Sequence, residues 1–433
     1  MKKSNLAAIL VLSTTMTIAE TPAKHTAKAA KLTPEEVHRG ALVVDTHEDT
    51  PQRFVDDGFD LSDPLNGGQL NLDAIHKGNL GASFMSIWVE PDLFKGHYAR
   101  RTLELIDASR QQAAKHPDQI KFATSAADIE AAHREHKYAM LMGIEGGHSI
   151  EDSLGLLRMY YDLGVRYMTL TWSNSNGWAD SSGDDTDISV PHTQTGLSEF
   201  GKDVVYEMNR LGMMVDISHV SDKTFYRTLI ITRAPVIASH SAARALCDAP
   251  RNMTDDMLRQ VTINGGVVMV NFYSGFISQA YRDAQRAQKS AVDKATADLK
   301  AKFKAEGKEI TYSDLEKLQR QMADSIPRPP LSALIDQIDH IAKVAGIDHV
   351  GLGSDFDGVS GQLPEGIDSA ADLPKITAEL MKRGYTADDC RKILGGNFMR
   401  VFKQVEAISK QLQAESRPKI TEKQPFDKPL KKE

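Results

Sequence analysis

Short apolar segments rich in β-branched residues alternate along the chain with segments that carry apolar residues at helical spacing. The pattern predicts eight strands, at Ala41–Asp45, Ala82–Val89, Tyr138–Ile144, Tyr167–Trp172, Met213–His219, Pro235–His240, Gly265–Phe272 and His349–Asp355. It predicts helices at Ser153–Leu163, Gly196–Leu211, Asp222–Thr232, Asp255–Val261 and Leu331–Ala345. This repeated alternation favours an α/β fold, a closed (β/α)8 barrel of the TIM type. A doubly wound open sheet is the alternative, but no glycine-rich phosphate loop follows the first strand.

Three segments do not follow this alternation. Residues 1–30 place Lys2 and Lys3 before an apolar stretch and then small residues, the order of a secretory signal peptide. Residues 277–330 are rich in Lys, Ala and Gln, and we expect a helical insertion in the loop after the seventh strand. Residues 415–433 are rich in Lys and Pro, which predicts a flexible tail. We therefore expect one barrel domain at residues 31–414 in an exported protein, periplasmic or secreted.

Composition excludes several classes of protein. The 433 residues are 41% hydrophobic and 26% charged, as in ordinary globular chains. The net charge of -7, with no basic stripe, argues against a nucleic-acid partner. No apolar run reaches the roughly 20 residues that a membrane span needs. Cys247 and Cys390 are too few for a disulfide scaffold or a Cys-rich zinc module.

Residue types that bind metals occur where the predicted strands end. His47 and Asp49 are two residues apart, so in an extended chain they point to the same side and can chelate one metal. Glu145 ends the third strand, and the two glycines after it are expected to leave room for a ligand or a second metal. Taken singly, each of these residues is equally compatible with an ordinary structural role.

Two more histidines and a carboxylate occupy equivalent positions. His219 and His240 end the fifth and sixth strands, and Asp355 ends the eighth. On a barrel, all of these positions open onto the C-terminal face, where barrel active sites lie. Histidines and carboxylates without thiolates predict zinc or another divalent first-row metal. The number of ligands suggests two metals that hold one hydroxide between them, for which hydrolysis is the natural chemistry.

Seven motifs taken together are more specific than any of these residues alone. They are DTHED, GIEGGHS, NRLGMMVDISHVS, APVIASHSAAR, RNMTDDML, VMVNFY and GLGSDFDGV. The set resembles the membrane (renal) dipeptidase family of zinc metallopeptidases, here as a bacterial exported member. The resemblance runs from about Leu42 to Phe402, apart from the insertion. It implies the same barrel fold and the hydrolysis of dipeptides by a hydroxide that bridges two zinc ions.

The resemblance also implies the ligand set by position. His47 and Asp49 would bind one zinc, Glu145 would bridge both, and His219 and His240 would bind the second.

The resemblance gives two further residues a role. Asp355 matches the family's acid/base carboxylate, which moves a proton from the hydroxide to the leaving amine. Arg251 matches the arginine that holds the free carboxylate of the substrate, a role that suits a two-pronged guanidinium. The alternative for Arg251 is a surface ion pair with Asp255 or Asp256.

Trp172 departs from the family pattern. The family has a His after the residues TLT that helps to polarise the scissile carbonyl, and this chain has Trp172 there. The indole either donates its N–H to the developing oxyanion or packs the barrel. Three functions therefore stay open: a binuclear zinc dipeptidase, a metal- and ligand-binding protein with little turnover, and a related deacylase or lactonase. The sequence also leaves a homodimer open.

Overall fold

The apolar segments pair side by side as parallel strands in the computed structural model, which describes residues 32–183 and 196–418. The strands are β1 (Val43–Glu48), β2 (Leu80–Trp88), β3 (Ile120–Phe122), β4 (Tyr138–Glu145), β5 (Val165–Thr169), β6 (Met214–Asp216), β7 (Ile237–Ser241), β8 (Val267–Val270) and β9 (Val350–Leu352). Their order is β2-β1-β9-β8-β7-β6-β5-β4-β3, and β2 also pairs with β4. That pairing closes an eight-stranded barrel, with β3 attached only to β4. The predicted (β/α)8 barrel is confirmed, and the open sheet is wrong, because the eight barrel strands leave no free edge.

Several barrel strands end earlier than the apolar pattern predicts. β6 ends at Asp216, whose Oδ1 accepts hydrogen bonds from the backbone N–H groups of Ser218 (3.0 Å) and Ser239 (2.8 Å). These bonds replace ladder bonds, and His219 then takes a φ of 65°. β5 likewise ends before Trp172. His219 and Trp172 therefore lie on loops that follow these strands, and side-chain hydrogen bonds hold the loop before His219 in place.

Helices flank the barrel and connect its strands. The first eight are α1 (Pro34–Arg39), α2 (Pro51–Asp56), α3 (Leu72–Lys77), α4 (Tyr98–Lys115), α5 (Ala126–Arg134), α6 (Leu154–Asp162), α7 (Glu199–Leu211) and α8 (Asp222–Ile231). The others are α9 (Asp255–Asn264), α10 (Ser274–Ile277), α11 (Gln279–Ala305), α12 (Tyr312–Ala323), α13 (Leu331–Ala345), α14 (Leu373–Lys382), α15 (Ala387–Arg391) and α16 (Asn397–Glu415). Many begin at a Ser or Thr whose side chain accepts a hydrogen bond from a backbone N–H of the first turn, as at Ser125, Ser153, Ser198, Ser221 and Thr254.

Apolar side chains fill the barrel below its mouth. Phe84 of β2, Leu141 of β4 and Tyr167 of β5 are fully buried in one cluster. Phe398 of α16 joins this cluster, and its ring centre lies 5.4 Å from that of Phe84. Because the interior is packed, a site for chemistry is expected at the C-terminal ends of the strands.

Helices α10 to α12 lie between β8, the seventh barrel strand along the chain, and α13. Most of residues 277–330 are therefore helical. Helix α11 spans 27 residues and α12 spans 12.

Helix α16 ends at Glu415. The predicted signal peptide falls almost entirely on residues 1–31 and most of the predicted tail on residues 419–433, which lie outside the described residues. Within residues 32–183 and 196–418, no helix combines the length and hydrophobicity that a membrane crossing requires.

Candidate active site

Five side chains that the sequence predicts as metal ligands meet at the C-terminal mouth of the barrel. His47, Glu145 and His240 belong to β1, β4 and β7. Asp49 directly follows β1, and His219 follows β6. Each of the five is at most 8% exposed. The structure thus brings together groups from four strands that are far apart in the sequence.

The carboxylate of Glu145 lies between two sets of donor atoms. Its Oε1 is 2.8 Å from Nε2 of His219 and 3.4 Å from Nε2 of His240. Its Oε2 is 3.3 Å from Nε2 of His47. The same His47 nitrogen is 3.6 Å from Oδ2 of Asp49. The two oxygens of one carboxylate therefore face two different groups of side chains.

The donor atoms of this cluster fit divalent metal ions. Two of them, His47 Nε2 and Asp49 Oδ1, are buried without a hydrogen-bond partner among the described residues. Two sets of three residues place one ligand atom each within 4.8 Å of one another, namely His47, Glu145 and His240, and His47, Asp49 and Asp355. Buried imidazoles and carboxylates are the ligands that zinc and its neighbours accept, and leaving such atoms unpaired is costly.

Outer hydrogen bonds orient two of the imidazoles. Nδ1 of His47 lies 2.8 Å from the hydroxyl of Tyr167. Nδ1 of His240 lies 2.7 Å from Oγ of Ser239, which in turn donates to Oδ2 of Asp216 at 2.6 Å. When Nδ1–H donates outward, the lone pair of Nε2 faces the centre of the cluster, which is the tautomer that a metal ligand needs.

Burial and charge set the protonation of the ligands. Burial lowers the pKa of His219 to about 4 and that of His240 well below its usual value. Burial alone would raise the pKa of Glu145, but the charge of His47 and hydrogen bonds from the histidines hold it well below its usual range. Glu145 is therefore ionised and His219 and His240 are neutral near pH 7, as metal binding requires. Burial alone would lower the pKa of His47, but Tyr167, Glu145 and Asp49 hold it well above its usual value, so His47 must release a proton when a metal binds.

Asp355 lies at the edge of the cluster and is 9% exposed. Its φ is 64°, and its backbone N–H donates to the carbonyl oxygen of His47 at 3.1 Å. Its Oδ2 accepts a hydrogen bond from Nδ2 of Asn271 at 2.8 Å. Burial raises the pKa of Asp355 to about 7, and the charge of Asp49 acts in the same direction. A carboxyl group with such a pKa can both take and release a proton near neutral pH.

Arg251 reaches the cluster from the loop between β7 and α9. Its Nη1 donates to Oγ of Ser241 at 2.8 Å, and its Nη2 donates to the carbonyl oxygen of His240 at 2.7 Å. Burial lowers the pKa of Arg251 to about 10, against the opposing charges of Asp355 and Glu145. The guanidinium therefore remains a fixed cation beside the cluster at neutral pH.

The aspartates near Arg251 in the sequence have other partners. Asp255 Oδ1 lies 2.7 Å from Nε2 of His340, and Asp256 Oδ2 accepts a hydrogen bond from the Tyr226 hydroxyl at 2.7 Å. This arrangement leaves the guanidinium directed toward the barrel mouth.

Trp172 lies beside the cluster in the loop after β5. Its ring centre is 6.3 Å from that of His219 and 4.8 Å from that of Trp88. Its carbonyl oxygen accepts a hydrogen bond from Oγ of Ser181 at 2.5 Å. The side chain therefore lies next to one of the candidate metal ligands and in contact with a second indole.

Comparison with known proteins identifies the family of this chain. The family model of membrane dipeptidase (peptidase family M19) matches residues 33–416. The chain belongs to peptidase family M19. The family resemblance predicted from the motifs is confirmed. This M19 dipeptidase is a metallopeptidase, a hydrolase of peptide bonds, and membership of the family implies that it binds metal ions.

Similar proteins and a similar solved structure support the assignment of this chain to family M19. An uncharacterised dipeptidase of Schizosaccharomyces pombe is 35% identical over 403 residues, which cover 89% of this chain and 85% of that protein. Dipeptidase 3 of Mus musculus is 35% identical over 345 residues, 79% of this chain and 59% of the mouse protein. The structure of the probable dipeptidase PvdM from Pseudomonas aeruginosa has a TM-score of 0.73 at 28% identity, covering 87% of this chain and 98% of that one.

The two glycines after Glu145 make room for protein side chains. A Cβ at Gly146 would lie 2.4 Å from Cε1 of His148, and one at Gly147 would lie 2.3 Å from Cζ2 of Trp178. The expectation that these glycines leave space for a ligand or a second metal is therefore wrong, because His148 and Trp178 occupy that space.

Gly358 keeps space for the site carboxylates of the M19 dipeptidase. A Cβ there would lie 2.0 Å from Oδ2 of Asp49 and 2.6 Å from Oδ1 of Asp355. We expect Gly358→Ala to displace Asp49, to lower the metal content of the purified protein and to reduce turnover by at least about tenfold. Elemental analysis beside a dipeptidase assay measures both effects. Gly155→Ala in α6 is the control, since its nearest neighbour would be Oγ of Ser153 at 3.3 Å. A wild-type metal content in Gly358→Ala would contradict this geometry.

The residues that orient the ligands were not predicted from the sequence. Tyr167, Ser239, Asp216 and Asn271 carry no metal-ligating pattern of their own. Asp216 and Asn271 bond to residues on or just after the neighbouring strand, whereas Tyr167 reaches His47 across the barrel. Position is the one signal for Ser239, Asp216 and Asn271, because each lies within a few residues of the C-terminal end of a predicted strand, whereas Tyr167 begins its predicted strand.

Proposed function

We propose that this M19 dipeptidase hydrolyses the peptide bond of dipeptides with two zinc ions held at the barrel mouth. The observation that carries the proposal is Glu145, whose two carboxylate oxygens face separate groups of donor atoms. His47 and Asp49 would hold one ion together with Oε2. His219 and His240 would hold the other together with Oε1. Zinc suits a site of imidazoles and carboxylates without thiolates.

Zinc bound by these residues would supply a lowered pKa for the attacking water and polarisation of the scissile carbonyl. Asp355 would take the proton of the attacking water at its carboxylate and give it to the nitrogen of the leaving amine. The hydrogen bond from Asn271 fixes Oδ2 of Asp355, so we assign the proton transfer to Oδ1.

Arg251 would hold the C-terminal carboxylate of the dipeptide. Two of the five N–H donors of its guanidinium are used by Ser241 and His240, which leaves three for a ligand. Because those two bonds fix the plane of the guanidinium, a carboxylate can approach it in one orientation. This contact would select substrates with a free C-terminus.

Trp172 favours a second candidate function. An indole has one N–H donor and no acceptor, so it cannot replace every property of the family's imidazole. Its tilted contact with the Trp88 indole, with ring centres 4.8 Å apart, supports a role in shaping the pocket. The second candidate is therefore a protein that binds metal and ligand with little turnover. The order of charged and apolar residues at the N-terminus supports export for either function.

We expect zinc-reconstituted protein to contain about two zinc ions per chain and to hydrolyse dipeptides. Elemental analysis and a panel of L,L and L,D dipeptides test this, with chelator-treated protein as the inactive control that added zinc restores. About one ion after reconstitution would contradict the binuclear site. Two ions without turnover would identify the binding protein, and turnover only of N-acyl amino acids or lactones would identify the deacylase or lactonase.

A further inference from the structure

The insertion brings an aromatic residue to the barrel mouth. Tyr312 is the first residue of α12. Its ring centre lies 4.8 Å from that of Trp88, with an angle of 67° between the ring planes. Trp88 is the last residue of β2 and is paired in register with Glu145 on β4. The indole of Trp88 therefore lies between Tyr312 and β4, the strand that carries Glu145.

Tyr312, Trp88 and Trp172 form a continuous aromatic surface, which we call the aromatic wall. Trp88 is in the middle, with the ring centres of Tyr312 and Trp172 each 4.8 Å from its own. Trp88 is 4% exposed, and the other two are half-buried. The wall ends beside His219, 6.3 Å from the Trp172 ring. It thus connects the insertion to the candidate metal ligands.

The electrostatic environment of Tyr312 agrees with this position. Burial raises the pKa of Tyr312 well above its usual value, and nearby carboxylates act in the same direction, namely Glu316, Asp49, Asp355 and Glu145. Three of these four belong to the site at the barrel mouth. The phenol hydroxyl is therefore within electrostatic range of the site carboxylates.

Helix capping and contacts to the barrel hold Tyr312 in place. Thr311 and Asp314 form a capping box around the first turn of α12, in which Tyr312 is the first residue. Ser313 Oγ donates to Oδ2 of Asp57 at 3.1 Å, at the end of α2. Lys317 Nζ lies 3.6 Å from Oδ1 of the same carboxylate. A side chain at such an anchored helix start is pre-organised for contact with a ligand.

Trp88, the middle of the aromatic wall, and Arg251 lie on opposite sides of the barrel. Along the closed sheet, β2 is four strands from β7 in one direction, through β1, β9 and β8, and four in the other, through β4, β5 and β6. Trp88 ends β2, and Arg251 is bound to Ser241 and His240 of β7. A dipeptide with its C-terminal carboxylate on Arg251 and its peptide bond at Glu145 therefore extends its N-terminal residue toward the wall.

We propose that the aromatic wall binds the side chain of the substrate's N-terminal residue and that Tyr312, supplied by the insertion, makes the enzyme prefer large apolar or aromatic side chains there. This inference rests on the proposed dipeptidase function. Tyr312 is thus a specificity-determining residue that the barrel itself does not contain. The physical basis is the burial of apolar area and the edge-to-face contact between aromatic rings.

The test compares pairs of dipeptides that differ in one residue, with zinc-loaded full-length enzyme. Two substrates share the best-accepted C-terminal residue and carry Phe or Gly at the N-terminus. We expect Tyr312→Ala to lower the Phe-to-Gly ratio of kcat/KM by roughly five- to thirtyfold, mainly through KM. Tyr312→Phe keeps the ring and should keep the ratio within about twofold. Gln319→Ala, an exposed change on the same helix, is the control and should keep the wild-type ratio.

The outcomes separate this inference from the proposed function. If the wild type hydrolyses no dipeptide, the proposed function fails. If the wild type is active and Tyr312→Ala keeps its Phe-to-Gly ratio, only the inference fails. An equal loss of kcat/KM for both substrates would show that Tyr312 has only a structural role and would overturn the inference. A change in kcat/KM that appears only when the C-terminal residue is varied would overturn it as well. Should Tyr312→Ala not fold, Tyr312→Leu keeps apolar bulk and should lower the ratio about two- to fivefold; an unchanged ratio there would overturn the inference.

Discussion

Replacing Asp355 with Asn should lower kcat by about 100- to 10,000-fold and leave the metal content near that of the wild type. The amide has the size of the carboxyl group and can keep a hydrogen bond with Asn271, but it cannot accept the proton of the attacking water. Single-turnover and steady-state rates on the best dipeptide, together with elemental analysis, measure the two effects.

The control for this change is Asp256→Asn, which alters an exposed carboxylate on α9. It should keep the wild-type kcat. A rate near wild type in Asp355→Asn would remove Asp355 from proton transfer. A loss of metal in that variant would instead make Asp355 a ligand, in agreement with its place in the group that also contains His47 and Asp49.

Removing the guanidinium in Arg251→Leu should lower kcat/KM for free dipeptides by about 30- to 3,000-fold, which corresponds to about 2–5 kcal/mol for a desolvated charge contact. Dipeptide amides should be poor substrates of the wild type, and the variant should hydrolyse them about as well as the wild type does. The effect follows from the fixed orientation of Arg251 on Ser241 and His240.

Arg259→Leu is the matched control, because Arg259 is an exposed arginine on α9. It should behave as the wild type with both kinds of substrate. Hydrolysis of free dipeptides at the wild-type rate by Arg251→Leu would place the substrate carboxylate elsewhere. A fall of the same size with the amides would point to a structural role of Arg251 beneath His240.

The sequence by itself predicted the barrel and its eight strands, because the spacing of apolar residues along each segment follows which side of that segment is buried. It also identified the residues that meet at the barrel mouth. His47, Glu145 and His240 each end an apolar run, and a polar residue at that point of a parallel barrel strand must lie at one common face.

The tertiary structure alone decided how these groups face one another. The carboxylate oxygens of Glu145 reach His47 on one side and His219 on the other because barrel closure sets the register of four strands. Tyr167 meets His47 across 120 residues of sequence. Such contacts depend on how distant strands are arranged in the closed barrel, which cannot be inferred from the type of each side chain.

The insertion shows the same division between local and distant information. Its composition predicted helices, because helix formation depends on residues three and four positions apart. The contact of Tyr312 with Trp88 could not be predicted in this way, because it depends on how α12 docks against the end of α2. Sequence patterns determined which elements form and where polar groups gather, since both follow from neighbours along the chain. The tertiary structure decided which atoms meet, since those contacts form only when distant segments close the barrel and pack against it.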